Sequence, residues 1–240
     1  MIIASNVSKQ FGKLKALDNI SATCVRGECI ALIGPNASGK TTLIKSILGM
    51  VVPNSGFITF NGKNILHDWL YRENIGYMPQ TGKYPENMTI RQVISMMKDI
   101  RQKKGTENLD EELLISFGLD KVLDKRMRTL SGGTRQKVSA TLAFLFKPDV
   151  LILDEPTAGL DPVASEVLKE KIIREKQKGK LILITSHILS DLDDLITQVI
   201  YMQDGHLIFH KSLAELRADT GEAKLSKAIA SVMSKSSYNE

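Results

Sequence analysis

Ile30-Ala-Leu-Ile33 runs into Gly34-Pro35-Asn36-Ala37-Ser38-Gly39-Lys40-Thr41-Thr42 and then into Leu43-Ile44-Lys45-Ser46-Ile47-Leu48: an apolar strand, a turn that fits G-x-x-x-x-G-K-S/T, and the start of a helix. The glycines let the backbone curl so that successive N–H groups converge at a helix N-terminus, where unpaired amides and the helix dipole favour an anion. Lys40 adds a cation for β and γ phosphate oxygens, and the Thr41 hydroxyl suits Mg²⁺. A bare glycine-rich turn would lack these flanks, so the stretch reads as a triphosphate site. The motif leaves kinases, GTPases, helicases and transport ATPases all open, because one fold hosts many functions.

A second apolar strand, Val150-Leu-Ile-Leu153, ends in two carboxylates, Asp154 and Glu155. Open parallel sheets bind ligands at the C-terminal mouths of their strands, and a strand buried on both faces tolerates charge only there. Asp154 then suits the Mg²⁺ shell, and Glu155 is placed to orient and deprotonate an attacking water. From these residues alone, an acidic pair that merely ends a strand and caps the next element reads at least as well. Leu181-Ile-Leu-Ile184-Thr185-Ser186-His187 repeats the arrangement and brings a histidine to the same edge, although a lone histidine after a strand is more often an ordinary surface group.

The 240 residues are enough for a core without metal or disulfide support. With 42% apolar and 25% charged residues the chain reads as a soluble globular protein of mixed class, which excludes disordered and fibrous classes. No apolar run approaches the ~20 residues a membrane span needs, and Met1-Ile-Ile-Ala-Ser-Asn6 lacks the basic start of a secretory signal, so a cytoplasmic protein is expected. Cys24 and Cys29 flank a probable turn at Arg26-Gly27 and would face each other across a hairpin; reducing surroundings favour free, partly buried thiols, and two thiols alone make no metal site. The net charge of +5 is scattered, with its densest patch, Arg101 to Lys104, at an expected helix end.

Strands are expected near Ile2 to Val7, Ala16 to Cys24 and Cys29 to Ile33, with a hairpin at Asn61-Gly62. Apolar spacing turns helical from Thr89 to Phe117, punctuated by Gly105, Asn108 and Asp110, and again after Ser131. A helix over Asp161 to Lys178 between two wholly apolar strands means a parallel sheet covered on both faces. A hairpin through Asp204-Gly205 follows, and residues 211–240 read as short helices ending in a polar tail.

Leu130-Ser-Gly-Gly-Thr-Arg-Gln136 resembles the LSGGQ signature of ABC ATPases. Other elements stand in that family's order: the phosphate loop, Gln80 in Tyr77-Met-Pro-Gln80, the signature, Val150 to Glu155, Gly159-Leu-Asp161-Pro162 and His187. The resemblance covers nearly the whole chain. It implies an α/β fold, with a P-loop RecA-like core on a mostly parallel sheet, an N-terminal antiparallel β subdomain and a helical subdomain bearing the signature. The implied ATPase domain is 1–218, with its core at about 1–82 and 146–210 and the helical subdomain at about 83–145; a short C-terminal tail takes 219–240. The resemblance further implies ATP and Mg²⁺. Phe11 would stack on adenine and Gly34, Pro35, Asn36, Ala37, Ser38, Gly39, Lys40, Thr41 and Thr42 would hold the phosphates. Glu155, His187 and Gln80 would be catalytic, and Thr41, Gln80 and Asp154, the last through water, would serve the metal.

Ser131-Gly132-Gly133 precedes a helix read as beginning near Arg135, so its bare N–H groups can grip a second anion. In the family this implies a head-to-tail dimer, of identical or pseudo-symmetric subunits, in which Ser131, Gly132, Gly133 and Asp161 act in trans on the partner's nucleotide. It also implies a membrane permease as partner and a place on the inner face of the cell membrane. Two departures stand out: Ala37 replaces a frequent central glycine and Thr134 a frequent glutamine, and Ala37 is expected to avoid positive φ. The Tyr77 to Thr89 stretch and short tail look most like exporters of the ABC-2 type. Met127 to Pro162 and His187 to Asp194 resemble the ATPase of the nitrous-oxide reductase maturation system, with no copper site expected on this chain. The alternative, a soluble ABC ATPase acting on nucleic acid or ribosomes, usually has two cassettes or a long coiled coil; no nucleic-acid partner is expected for this single compact cassette.

Overall fold

A computed structural model describes residues 1–101 and 109–236; Gly105, Asn108 and most of the Arg101 to Lys104 patch lie outside the described residues. The strands are β1 (Ile2–Phe11), β2 (Leu14–Cys24), β3 (Cys29–Ile33), β4 (Ser55–Phe60), β5 (Lys63–Asn64), β6 (Ile75–Met78), β7 (Val150–Asp154), β8 (Leu181–Thr185), β9 (Gln198–Gln203) and β10 (His206–Ser212). The helices are α1 (Lys40–Ile47), α2 (Ile90–Arg101), α3 (Glu112–Ser116), α4 (Gly132–Phe144), α5 (Pro162–Gln177), α6 (Leu213–Thr220) and α7 (Leu225–Ser236). One sheet is antiparallel, in the order β2-β1-β4-β5; the other runs β10-β9-β3-β8-β7-β6, parallel except for its edge strand β10. The fold is thus α/β, with a mostly parallel central sheet and a separate antiparallel subdomain, as the resemblance implies.

Alternation along the central strands builds two cores at once, since successive side chains of a strand face opposite ways. Cys29, Ala31 and Ile33 of β3, with Leu151 and Leu153 of β7, face a core closed by Phe144, Leu168 and Ile172 from α4 and α5. Ile30 and Leu32, with Val150 and Ile152, face the other side, against Leu43, Ile44 and Ile47 of α1 and the antiparallel sheet. A third cluster, Ile90, Val93, Leu119, Met127, Val138 and Leu142, is the core of the helical subdomain. Helix α4 is buried on two sides: Ala140, Ala143 and Phe144 pack on the main core, Val138 and Leu142 on the helical one. It therefore joins the two bodies.

The hairpin turns form as expected, with φ of 48° and 81° at Asn61 and Gly62 and of 48° and 80° at Asp204 and Gly205, the two-residue turns that match strand twist. Cys24 and Cys29 do not face each other across a hairpin, because β2 and β3 belong to different sheets. Both thiols are free and buried, and burial pushes each up to about 12, which makes them unreactive. Helix α4 begins at Gly132 rather than near Arg135, because the Ser131 hydroxyl accepts the Thr134 amide and caps it there. Within 219–240, Leu225, Ala228 and Ile229 of α7 are buried in the main core, and the Leu225 amide donates to Asp193.

A buried ion cluster ties the helical subdomain to α5. Lys171, 1% exposed, bonds Asp110 at 2.5 Å, Glu112 at 2.8 Å and Glu175 at 3.4 Å. Arg174 also pairs with Glu112, and Glu175 also pairs with Lys178 at 2.7 Å and with Lys180. Removing the cation leaves the largely buried Asp110 without an ion-pair partner among the described residues, while Glu112 and Glu175 keep theirs, so Lys171→Met is expected to destabilise the protein by ~3 kcal/mol in urea denaturation. Burial of Glu175 opposes ionisation, yet its lysine partners prevail and hold its carboxyl at about 2. A depressed folded-state value stabilises above the ordinary carboxylate pKa, and that stability is lost as pH falls through about 2. Stability should accordingly drop between about pH 4.5 and 2, and Glu175→Gln should flatten that part of the profile in acid titrations followed by circular dichroism.

Candidate functional site

The C-terminal ends of β3, β6, β7 and β8 open on one pocket of about 380 Å³, lined by Phe11, Leu14, Ala16, residues 36–42, Gln80, Asp154, Glu155 and His187. The loop after β3 is wound by left-handed residues: φ is 154° at Gly34, 63° at Ala37 and 100° at Gly39. A Cβ on Gly34 would lie 2.0 Å from the Met202 carbonyl oxygen, and one on Gly39 would lie 2.4 Å from that of Ala16. Ala37 thus departs from the expectation that it avoids positive φ. Amides converge on one anion only where left-handed residues alternate with right-handed ones, and that need outweighs the ~1–2 kcal/mol cost of an alanine there.

Lys40 Nζ folds back over the loop, 2.7 Å from the Gly34 carbonyl oxygen, 2.8 Å from that of Pro35 and 3.4 Å from Ser38 Oγ. Burial lowers its pKa, against the opposing pull of Glu155 and Asp154. Its ammonium lies among carbonyl oxygens at the loop's own mouth, where an anion would meet it.

Asp154 ends β7 in a buried position and accepts the Thr185 hydroxyl at 2.6 Å. The Thr185 oxygen also accepts the Glu155 amide at 3.0 Å, so one residue of β8 sets both carboxylates. Glu155 has φ of 51°, a strained value for this residue, which turns the chain out of the strand. Its carboxylate takes Gln80 Nε2 on one oxygen at 2.9 Å and meets His187 Nε2 with the other at 2.7 Å. Gln80, Glu155 and His187, separated by 107 residues from first to last, are therefore one contact group. The Phe11 ring is half exposed beside this pocket, with Lys9 Nζ 5.2 Å from its centroid, and offers a face for a base to stack on.

Ser131, Gly132, Gly133 and Asp161 are absent from the pocket lining. Ser131 and Gly132 are exposed at the start of α4, while Gly133 rests against the Gly159 carbonyl. Asp161 caps α5, accepting the Ala164 amide at 2.9 Å, and pairs with Lys137 at 2.7 Å. The Lys137 hydrogen bond and then the Ala164 amide hold the Asp161 carboxyl below its usual value. Sequence reasoning missed Thr185, Leu14, Ala16 and Lys137. Thr185 had a legible signal, as the last residue of an apolar strand one step before the mouth; the others had none.

An α/β sheet with a glycine-rich turn between strand and helix at one strand mouth and an acidic pair at another is the arrangement of a P-loop nucleoside triphosphatase. The family described as ABC transporter matches residues 17–158, and the chain belongs to it, as an ABC-type ATPase. It is 32% identical over 225 residues to the uncharacterized ABC transporter ATP-binding protein YhaQ of Bacillus subtilis (strain 168), covering 92% of this chain and 74% of that protein. It is 32% identical over 206 residues to the Nod factor export ATP-binding protein I of Burkholderia lata, covering 85% and 68%. A solved structure of the ATP binding subunit of an ABC transporter superposes with a TM-score of 0.90 at 29% identity, covering 97% of this chain and 99% of that one.

Glycine at position 37 would relieve the left-handed strain at some cost in unfolded-chain entropy. Ala37→Gly is expected to raise stability by ~0.5–1 kcal/mol and to leave nucleotide affinity within about twofold, read by thermal melting and isothermal titration.

Proposed function

We propose that this chain powers a separate membrane permease: ATP binding closes two copies head to tail, and hydrolysis reopens them. The observation that carries the reading is the Glu155 carboxylate held between Gln80 and His187 beside the phosphate loop, while the Ser131 end of α4 stands exposed outside that pocket. A γ-phosphate over Lys40 would leave Glu155 facing the attacking water. Glu155 takes the water's proton, His187 and Gln80 hold the carboxylate and the water in line, and the loop amides with Lys40 carry the charge that grows on the phosphoryl oxygens. The Phe11 face receives the adenine.

Among the described residues no cluster of three His, Cys, Asp or Glu side chains could hold a metal. Mg²⁺ suits the site all the same, because it binds through one or two carboxylates together with substrate phosphates and water. Thr41 and Asp154, with Gln80, would hold it, and when bound it supplies positive charge to the β and γ oxygens.

The capped N-terminus of α4 is a second anion clamp, and one chain does not bring it to its own pocket. A two-fold partner does so twice, giving two composite sites that take Ser131, Gly132, Gly133 and Asp161 in trans. No helix among the described residues is long and apolar enough to cross a membrane. A groove between core and helical subdomain, lined by Leu48, Met50, Tyr77, Pro79 and Met97 together with Arg72, Lys83 and Arg101, would receive a short helix of that permease on the cytoplasmic membrane face. Export is the favoured direction, supported by the ABC-2 resemblance and by the Nod factor export relative. Within that type the likeness to the nitrous-oxide reductase maturation ATPase is the narrowest reading.

Glu155→Gln is expected to cut ATP turnover by ~10²–10⁴ while the ATP-loaded protein accumulates as a dimer, followed by phosphate release and light scattering. Turnover at the parental rate, or a strictly monomeric ATP-loaded variant, would sink the assignment.

A further inference from the structure

Helix α4 faces two ways in the proposed dimer. Its capped N-terminus addresses the partner's nucleotide, and its first two turns grip the segment that carries the protomer's own base. Three contacts make that grip. Gly133 lies so close to the Gly159 carbonyl that a Cβ there would be 2.7 Å from its oxygen. The buried Gln136 reaches the Glu155 main-chain carbonyl at 3.5 Å, and Lys137 Nζ meets Asp161 Oδ2 at 2.7 Å.

These contacts differ in kind. The first is close packing without direction, and the second is a long hydrogen bond. Only the third is a short charge-assisted bond, and it fixes the far end of the 155–161 segment. Its other carboxylate oxygen accepts the Ala164 amide, so the same side chain starts α5 and receives the signature helix. The segment between is two linked turns, the Ala158 amide donating to the Glu155 carbonyl at 3.1 Å and the Leu160 amide to that of Thr157 at 3.2 Å, with Gly159 left-handed at φ 75°. On its far side Thr157 reaches Asp191 at 3.3 Å, and Lys169 holds Asp191 at 3.1 Å. The segment is thus strung between α4 and the turn that follows His187. Lys137 Nζ also stands over the Phe117 ring, 6.0 Å from its centroid, a second contact made by the same ammonium.

We propose that Lys137 is a positioning residue that locks α4 to the 155–161 segment, so that seizure of the partner's nucleotide by Ser131 and placement of Glu155 over the protomer's own nucleotide become one motion. The inference rests on the dimer reading above. It gives each site a mechanical report of the other's occupancy, carried by a side chain that touches neither nucleotide. With its carboxylate half exposed, the pair contributes little to stability, so its loss is readable in folded protein.

The test uses the full chain and Mg-ATP, with Lys137→Met, Lys137→Arg, Asp161→Asn and the Met/Asn double variant. Asparagine caps a helix about as well as aspartate, so Asp161→Asn removes the charge and keeps the cap. Lys137→Met should lower kcat about tenfold with KM within about twofold; Asp161→Asn, which also loses the in-trans role proposed above, should lower it at least as far, and the double variant should be no slower than Asp161→Asn alone. Lys137→Arg should recover most of the rate. In the Glu155→Gln background, Lys137→Met should leave the ATP-loaded dimer intact. A parental kcat in Lys137→Met, losses that multiply in the double variant, or a change confined to KM would overturn the proposal while leaving the dimer reading in place. Absence of a Glu155→Gln dimer would overturn both.

Discussion

Charge cannot sit inside a strand covered on both faces, and the strands at the centre of this sheet are so covered. Every residue of β3, β7 and β8 is buried, shared between one core on each side. Polar chemistry is thereby driven to where those strands end. The phosphate loop, Asp154 with Glu155, and Thr185 with His187 stand at three such ends, and Gln80 stands just past a fourth. The pocket follows from the sheet's burial before any single side chain is considered.

Strain gathers at the same edge. Ala37 and Glu155, two non-glycine residues held at positive φ, both line that pocket. Each gives up the energy of an unfavourable backbone to aim something: amides in one case, a carboxylate in the other. What keeps Glu155 turned is the double hold of Thr185 on its amide and on Asp154, together with Gln80 and His187 on its carboxylate.

Helix α4 has the opposite task, joining bodies rather than ending a strand. It packs its two sides into separate cores, lends its first turns to the 155–161 segment and leaves its capped end bare. The Lys171 cluster makes a second bond between helical subdomain and core, from α5 to Asp110 and Glu112. These two joints, one polar and the other largely apolar, are supplemented by Arg101 of α2, which donates to the Glu73 and Ile75 carbonyls at 2.6 and 3.2 Å.

Much of the site was legible because its motifs are local. Gly34 to Thr42 carries its own strand, turn and helix, and Asp154 and His187 are marked by the apolar runs they end. Local pattern misled at Cys24 and Cys29, where the residues of a tight turn joined two different sheets, and at Ala37, where residue preference gave way to the loop's need to aim its amides. The amino-acid sequence by itself determined which strands are buried and which residues stand at their mouths, since period, polarity and glycine placement act over a few residues. Only the tertiary structure decided that Gln80, Glu155 and His187 form one group, that Thr185 sets both carboxylates and that Lys137 closes on Asp161. Those contacts depend on strand order and helix packing, which are set by distant parts of the chain meeting in one core.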